Sequence, residues 1–424
     1  MPEIKPFRAL RYDPARVKLS EVVAPPYDVI SKERRSELYD LNPYNVVRLI
    51  LGREKDPYAS AARAYEEWKL EGIVAREEEP AIYLLKQEFQ SGATSTFTRR
   101  GFIAACRLEE FGKGSIYPHE LTLSGPKEDR LRLLESVHAM FSQIFALYSD
   151  PKHELDRHFD EEMRKPPVAS AEFDGVRNSL WVARENGLVL ALAGFLKGQR
   201  VLVADGHHRY ETALNYSHSL RLKNPGHSGT EPYNFVPMYF TNMNDPALVI
   251  LPTHRVVHGV GDFNTDDFIE KLKAYFNVEP EDSLEELAQS LSRKREGAFG
   301  LIVQGTPGFA LLSYKKQGVP GMADAPALLA RLDVSILHSV VMEKILGITK
   351  EEQEKKIHLN YEQDPGQAVR LVRQGKAQAA FLLNPTRIEQ LRAIAEAGFT
   401  MPQKSTYFYP KLLSGLVTYS FLEA

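Results

Sequence analysis

The stretch VLVADGHHRYETAL, residues 201–214, decides the reading of this chain. Four apolar residues end in Asp205, so the acid stands where a strand leaves its sheet. Gly206 permits a sharp turn with positive φ. His207, His208 and Arg209 follow at once. A pattern suited to a helix then places Tyr210, Ala213, Leu214 and Ser217 on one face. A helix start carries unpaired backbone N–H groups and the positive end of the helix dipole, a site for phosphate or carboxylate. Arg209 adds a planar fork for phosphate oxygens, and the histidines can donate to phosphate, move protons or bind metal. The plainer alternative, Asp205 as helix cap with solvated histidines, explains the acid but not His-His-Arg in a row.

Working outward, the pattern is mixed α/β (α+β). In the first half, YASAARAYEEWKLEGI reads as a helix, and a second helix starts at Ser31. PAIYLLKQEF and TRRGFIAACRL read as two strands joined by a turn-rich segment. EDRLRLLESVHAMFSQI reads as a helix, and GLVLALAGFL as a buried one. The second half alternates strands and helices in βαβ-like units near both of its ends. The expected division is a core over 1–258 and an α/β C-terminal domain over 259–424, a natural count for 424 residues.

Composition narrows the function classes. The formal net charge of −3 argues against a chain-wide trap for nucleic acid or anionic membrane. No apolar run approaches the roughly 20 residues of a membrane span, and no signal core opens the sequence. The single cysteine, Cys106, excludes a disulfide within the chain and reads as a buried small hydrophobe. These features point to a cytoplasmic protein with a small-molecule substrate and no nucleic-acid or membrane partner. A homodimer is compatible with them.

Other segments offer chemistry. YPHELTLSGPKEDR brings together His119, Glu120, Thr122, Lys127, Asp129 and Arg130. A carboxylate beside a phosphate site could take the proton of an attacking hydroxyl, and Lys127 and Arg130 could hold phosphate charge. In PPYDVIS, Asp28 ends an extended Pro-Pro stretch and could bind a substrate amine. MPQKSTYFYPK offers Lys404 and Ser405 for a pocket wall. In LPTHR, His254 and Arg255 follow a strong strand. His207 or His208 with Glu211 could share a helix face toward a metal, although no third ligand has a diagnostic spacing.

ADGHHRYETAL resembles the DGHHR motif of the ParB/sulfiredoxin-like superfamily, and within it the free-serine kinases. PPYDVI, PHELT, GPKEDR, ADGHHRYETAL, LPTHR and MPQKSTYFYPKL together resemble domain-of-unknown-function family 1015, and these segments cover nearly the whole length. The resemblance implies a ParB/sulfiredoxin-like nucleotide-binding core with a large additional C-terminal part. It implies a kinase that moves a phosphoryl group from ATP or ADP, with Mg²⁺, to a hydroxyl metabolite such as free L-serine. Asp205, His207, His208 and Arg209 would act at the phosphates, Glu120 as base, and Asp205 also as a magnesium ligand. Gly206, His119, Lys127 and Arg130 would bind the nucleotide, and Asp28, Lys404 and Ser405 the substrate. Sulfiredoxin chemistry lacks its cysteine beside the motif, and no helix-turn-helix supports DNA partition. Two rivals stand beside the kinase: a non-catalytic nucleotide-binding regulator and a metal-dependent hydrolase.

Overall fold

The computed structural model describes residues 1–92, 95–120, 124–316, 318–322 and 325–423, with the side chains of 124–126 outside that description. Thr122 of the PHELT segment lies outside the described residues. The chain forms two compact units. The first comprises Met1–Pro118, Thr122–Val249 and Phe408–Ala424, and the second His119–Leu121 and Ile250–Tyr407. The expected division at 258/259 is thus drawn differently in space: the last segment belongs with the first unit, and the strand after Pro252 with the second.

The first unit is built on a nine-stranded sheet. Its strands are β1 (Ile4–Lys5), β2 (Ile82–Ser91), β3 (Ser95–Arg107), β4 (Ile116–Pro118), β5 (Ile144–Tyr148), β6 (Ala169–Phe173), β7 (Val176–Ala183), β8 (Val201–Asp205) and β9 (Phe235–Asn242). The order is β4-β8-β5-β9-β3-β2-β7-β6, with β1 on β3. β8 runs parallel to β4, and β9 parallel to β5; the other pairs are antiparallel. Every residue of β5 and β9 is buried, so both faces of the sheet centre are covered. Cys106 on β3 is fully buried, and burial pushes its thiol up from its ordinary value, as expected of a packing residue.

Three helices matter for the site: α1 (Pro57–Leu70), α2 (Ser124–Val137) and α3 (His207–Lys223). Asp56 caps α1 by accepting the Ala59 N–H at 3.0 Å, Pro57 opens it, and Ala61, Tyr65 and Trp68 face inward. α2 packs against both α1 and α3. It ends at Val137, short of the expected stop, because the following residues join strands: Ala139–Met140 pairs with Tyr419–Ser420, and β5 begins at Ile144. GLVLALAGFL is helical but one-sided rather than buried. Leu188, Leu192 and Leu196 point inward, and Leu190 is 71% exposed.

The second unit carries a six-stranded sheet of β10 (His254–Val257), β11 (Phe276–Glu281), β12 (Ala298–Val303), β13 (Phe309–Tyr314), β14 (Leu359–Glu362) and β15 (Ala379–Leu382), in the order β11-β13-β12-β15-β10-β14. Every neighbouring pair is antiparallel. The βαβ-like units are therefore split. β11, helix Leu284–Arg293 and β12 have β13 inserted between the strands; β14, helix Pro365–Arg373 and β15 have β10 inserted. The period of two separates two cores. Phe299, Leu301 and Val303 pack with Phe268, Leu272 and Val341, while Ala298 and Ile302 pack with Leu287, Leu291 and Val372. Among the described residues, no helix is long and apolar enough to cross a membrane.

Candidate functional site

The turn at 205–209 sits where β8 leaves its sheet. Its pairing with β5 shifts register between Val203 and Asp205, and the next residue turns the chain. Gly206 has φ +90° and ψ 24° and occupies the N-cap position of α3. The N-cap position thus falls to Gly206, which has no side chain, and not to Asp205. Its carboxylate instead lies between two cations. Lys411 Nζ donates to Oδ1 at 2.9 Å, and Arg209 Nη2 donates to Oδ2 at 3.0 Å. The three charges leave one net positive charge at the start of a 17-residue helix, which strengthens the attraction for an anion there.

Arg209 is nearly buried and also donates from Nη1 to the Gln143 carbonyl at 2.7 Å. Its guanidinium folds back over the turn. A β-carbon on Gly206 would stand 3.0 Å from Nη2 and 3.1 Å from Cζ. Gly206→Ala therefore meets both a positive φ and a collision. It is expected to destabilise the first unit by about 1–2 kcal/mol, read as a shift in its urea midpoint, and to displace Arg209.

α2 contributes the second arginine. Arg130 donates from Nη1 to the Ile50 carbonyl at 2.7 Å, pairs with Asp129, and stacks over the Tyr27 ring at 4.2 Å. Arg130 and Arg209 line one pocket with Tyr27, Leu134, Phe141 and Thr212, about 440 Å³ with the open solvent at its mouth included. Burial is the main cause that pushes the Tyr27 phenol up to about 12, so it stays a neutral hydroxyl near pH 7. Asp28 is exposed on the short turn Tyr27–Val29. Lys127 pairs with Glu211 at 2.7 Å. On α3, Tyr210, Ala213 and Ser217 are buried as expected; Leu214 is only half-buried, and Tyr216 is buried as well.

The remaining expected residues gather in the second unit. Glu120 forms a parallel bridge with Met401. Its Oε1 accepts the Thr406 N–H and hydroxyl at 3.0 Å each, and its Oε2 accepts the Lys404 N–H at 3.2 Å. With three donors of the 404–406 segment on its carboxylate, Glu120 holds that turn rather than standing ready as a base. His119 is 1% exposed, with Nε2 at 2.8 Å from Thr406 Oγ1, an interior group rather than a nucleotide contact. Lys404 has φ +56°, and its carbonyl accepts from Arg255. Ser405 donates to the Pro402 carbonyl at 2.6 Å.

The residues do not fit a protein-held magnesium ion. Asp205 has a cation on each oxygen, which opposes a divalent ion, and among the described residues no three His, Cys, Asp or Glu side chains converge. The ion pair of Glu211 with Lys127 likewise removes it as a partner of His207 or His208.

Sequence reasoning missed Lys411, Gln143 and Tyr27. Lys411 lies inside the quoted MPQKSTYFYPKL segment, six residues after Ser405, and the aromatic run between them gave no cue to which lysine faces Asp205.

The family follows from the sequence as a whole. Residues 4–335 of the 424 match the model described as "Protein of unknown function (DUF1015)". The chain belongs to this family. No protein of curated function matches it. Among solved structures, this member of the family is similar to a conserved hypothetical protein from Pyrococcus furiosus, with 16% identity, a TM-score of 0.35, and 70% of this chain and 90% of that one covered. It is also similar to variants of a free serine kinase. The complex with ADP has 11% identity and a TM-score of 0.37, and one with AMP 13% and 0.37; each covers 71% of this chain and 88% of the other.

Proposed function

We propose that this protein is a small-molecule kinase that transfers a phosphoryl group from ATP or ADP to a hydroxyl metabolite, with free L-serine the first candidate through the DGHHR resemblance. The observation that carries the reading is the pair of nearly buried arginines, Arg130 and Arg209, lining one pocket, with Arg209 in the first turn of α3. Two guanidiniums, a lysine and a helix N-terminus suit phosphate oxygens, and they suit them best as charge develops during transfer.

In this mechanism the phosphate chain lies on the 206–209 turn. Asp205 keeps Arg209 and Lys411 oriented, and His207 and His208 donate to phosphate oxygens. The acceptor hydroxyl attacks the terminal phosphorus, the bond to the leaving phosphate oxygen breaks, and a carboxylate takes the hydroxyl proton. Asp28 is the better of the two carboxylates for that proton. It is exposed in the same unit as the turn, whereas Glu120 is committed to the 404–406 segment.

The test is O-phosphoserine formation from L-serine with ATP and with ADP, magnesium supplied with the nucleotide, read by mass spectrometry. Arg209→Ala and Asp205→Ala are each expected to lower the rate about 100-fold. Saturable nucleotide binding without transfer to serine or to other hydroxyl metabolites would make the protein a regulator instead. Neither binding nor transfer would end the nucleotide reading.

A further inference from the structure

The LPTHR segment is not used by the phosphate site, and its polar groups are costly to bury. Arg255 on β10 is 1% exposed, and its hydrogen bonds among the described residues go to neutral acceptors. It donates to the Thr253 carbonyl, to the Lys404 carbonyl at 2.9 Å and to His338 Nε2 at 3.4 Å, and it stacks on Tyr361 at 5.4 Å. His338 is itself neutral, because burial pulls its imidazole down to about 3. Among the described residues no carboxylate forms an ion pair with Arg255. Glu120 acts on it only from farther away, and is held by the 404–406 turn. A buried guanidinium without a counter-charge is unfavourable.

Arg255 also lines a pocket. Thr253, Arg295, Asp333, Asn384 and Ser405 stand around it, all within the second unit. The Thr253 hydroxyl is buried, 3% exposed as a residue, and has no hydrogen-bond partner among the described residues. Asn384 spends its amide N–H groups on the Leu291 and Lys294 carbonyls, which leaves its oxygen as an acceptor. The space is about 380 Å³ with open solvent included, which suits only a small molecule.

We propose that the second unit binds a small carboxylate ligand, an α-hydroxy or α-amino acid, with its carboxylate on Arg255 and the Thr253 hydroxyl and its hydroxyl or ammonium toward Asp333. A carboxylate supplies the missing counter-charge and an acceptor for the orphaned hydroxyl. A phosphate dianion fits less well, because Asp333 would face it as a like charge. Arg295, exposed at the rim, draws the anion in. The proposal does not rest on phosphoryl transfer.

The test is calorimetric titration of the full chain, without nucleotide, with L-lactate, L-serine, ethanolamine and inorganic phosphate. L-lactate or L-serine should bind saturably, ethanolamine should not, and phosphate should bind at least tenfold more weakly. Arg255→Lys should weaken the carboxylate about tenfold by losing the planar fork. Thr253→Val should weaken it about fivefold while leaving the urea midpoint unchanged or higher, since a purely structural hydroxyl here has no partner to lose. Absence of saturable binding by both acids overturns the proposal. So does phosphate binding as tightly as the acids, or unchanged affinity in Thr253→Val. Because no nucleotide is present, failure of phosphoryl transfer leaves these outcomes as they are.

Discussion

Replacing Arg99 with methionine is expected to lower the stability of the first unit by about 3–5 kcal/mol, and to loosen the segment that carries Lys411. Arg99 lies on β3 and is fully buried. Burial pulls its guanidinium down from its ordinary value. Its donors go to the Gln87 side chain on β2, to the Tyr409 carbonyl at 3.1 Å and to the Pro410 carbonyl, while its face packs on Phe145 at 4.7 Å. Gln87 continues the network to Asn178 on β7 at 2.8 Å. Methionine fills much of the volume but donates nothing, so two carbonyls and one amide oxygen lose their partner in the interior. The readouts are the urea midpoint and the rate of tryptic cleavage after Lys411. A lower midpoint with faster cleavage is expected. An unchanged midpoint would mean that the 409–411 carbonyls find other donors, and the anchoring role would fall.

That network explains why the site was only partly legible in the sequence. Local features were readable because their causes are local. Ser31 does start a helix, with its hydroxyl accepting the Arg34 N–H at 3.1 Å, and β2 and β3 pair antiparallel from Tyr83 opposite Ile103 to Ser91 opposite Ser95. The turn at 205–209 was readable because apolar strand, acid, glycine and helix pattern follow one another directly. What the sequence could not show was set by long-range pairing. The segment from Phe408 returns to the first unit and brings Lys411 to Asp205 across about 200 residues of chain. His119 and Glu120 go the other way, into the second unit, because Glu120 pairs with Met401. One run of chemistry-bearing residues, His119 to Arg130, is thereby divided between two units. The βαβ spacing was visible, but the strand inserted into each unit comes from elsewhere in the chain and leaves no mark on the spacing itself.

Asp333→Asn is expected to stabilise the second unit by about 1–3 kcal/mol at pH 7.5 and by little at pH 4. Burial is the main cause that pushes the Asp333 carboxyl up to about 6, with Glu296 adding to it, against the Gly297 N–H and Arg387. The Gly297 N–H donates to Oδ1 at 2.6 Å, and asparagine keeps that acceptor. The sign follows from the two states. The unfolded chain releases this proton near pH 4, and the folded unit only near pH 6. Stability is therefore fully retained below pH 4, falls as pH rises between 4 and 6, and stays reduced above 6. A shift of about two units corresponds to about 3 kcal/mol; the side chain is half-buried by its surface, so solvent screening brings the expected value down into that range. Urea unfolding of wild type and Asp333→Asn at both pH values checks it. A gain that grows with pH supports the argument, and an equal change at both would trace the effect to packing. A carboxylate kept at a cost in stability in the pocket of a buried arginine that no carboxylate pairs among the described residues is what a ligand pocket requires, since the charge is useful only when something binds. The same variant should therefore bind L-serine more weakly while unfolding at higher urea, a divergence that a merely structural acid would not produce.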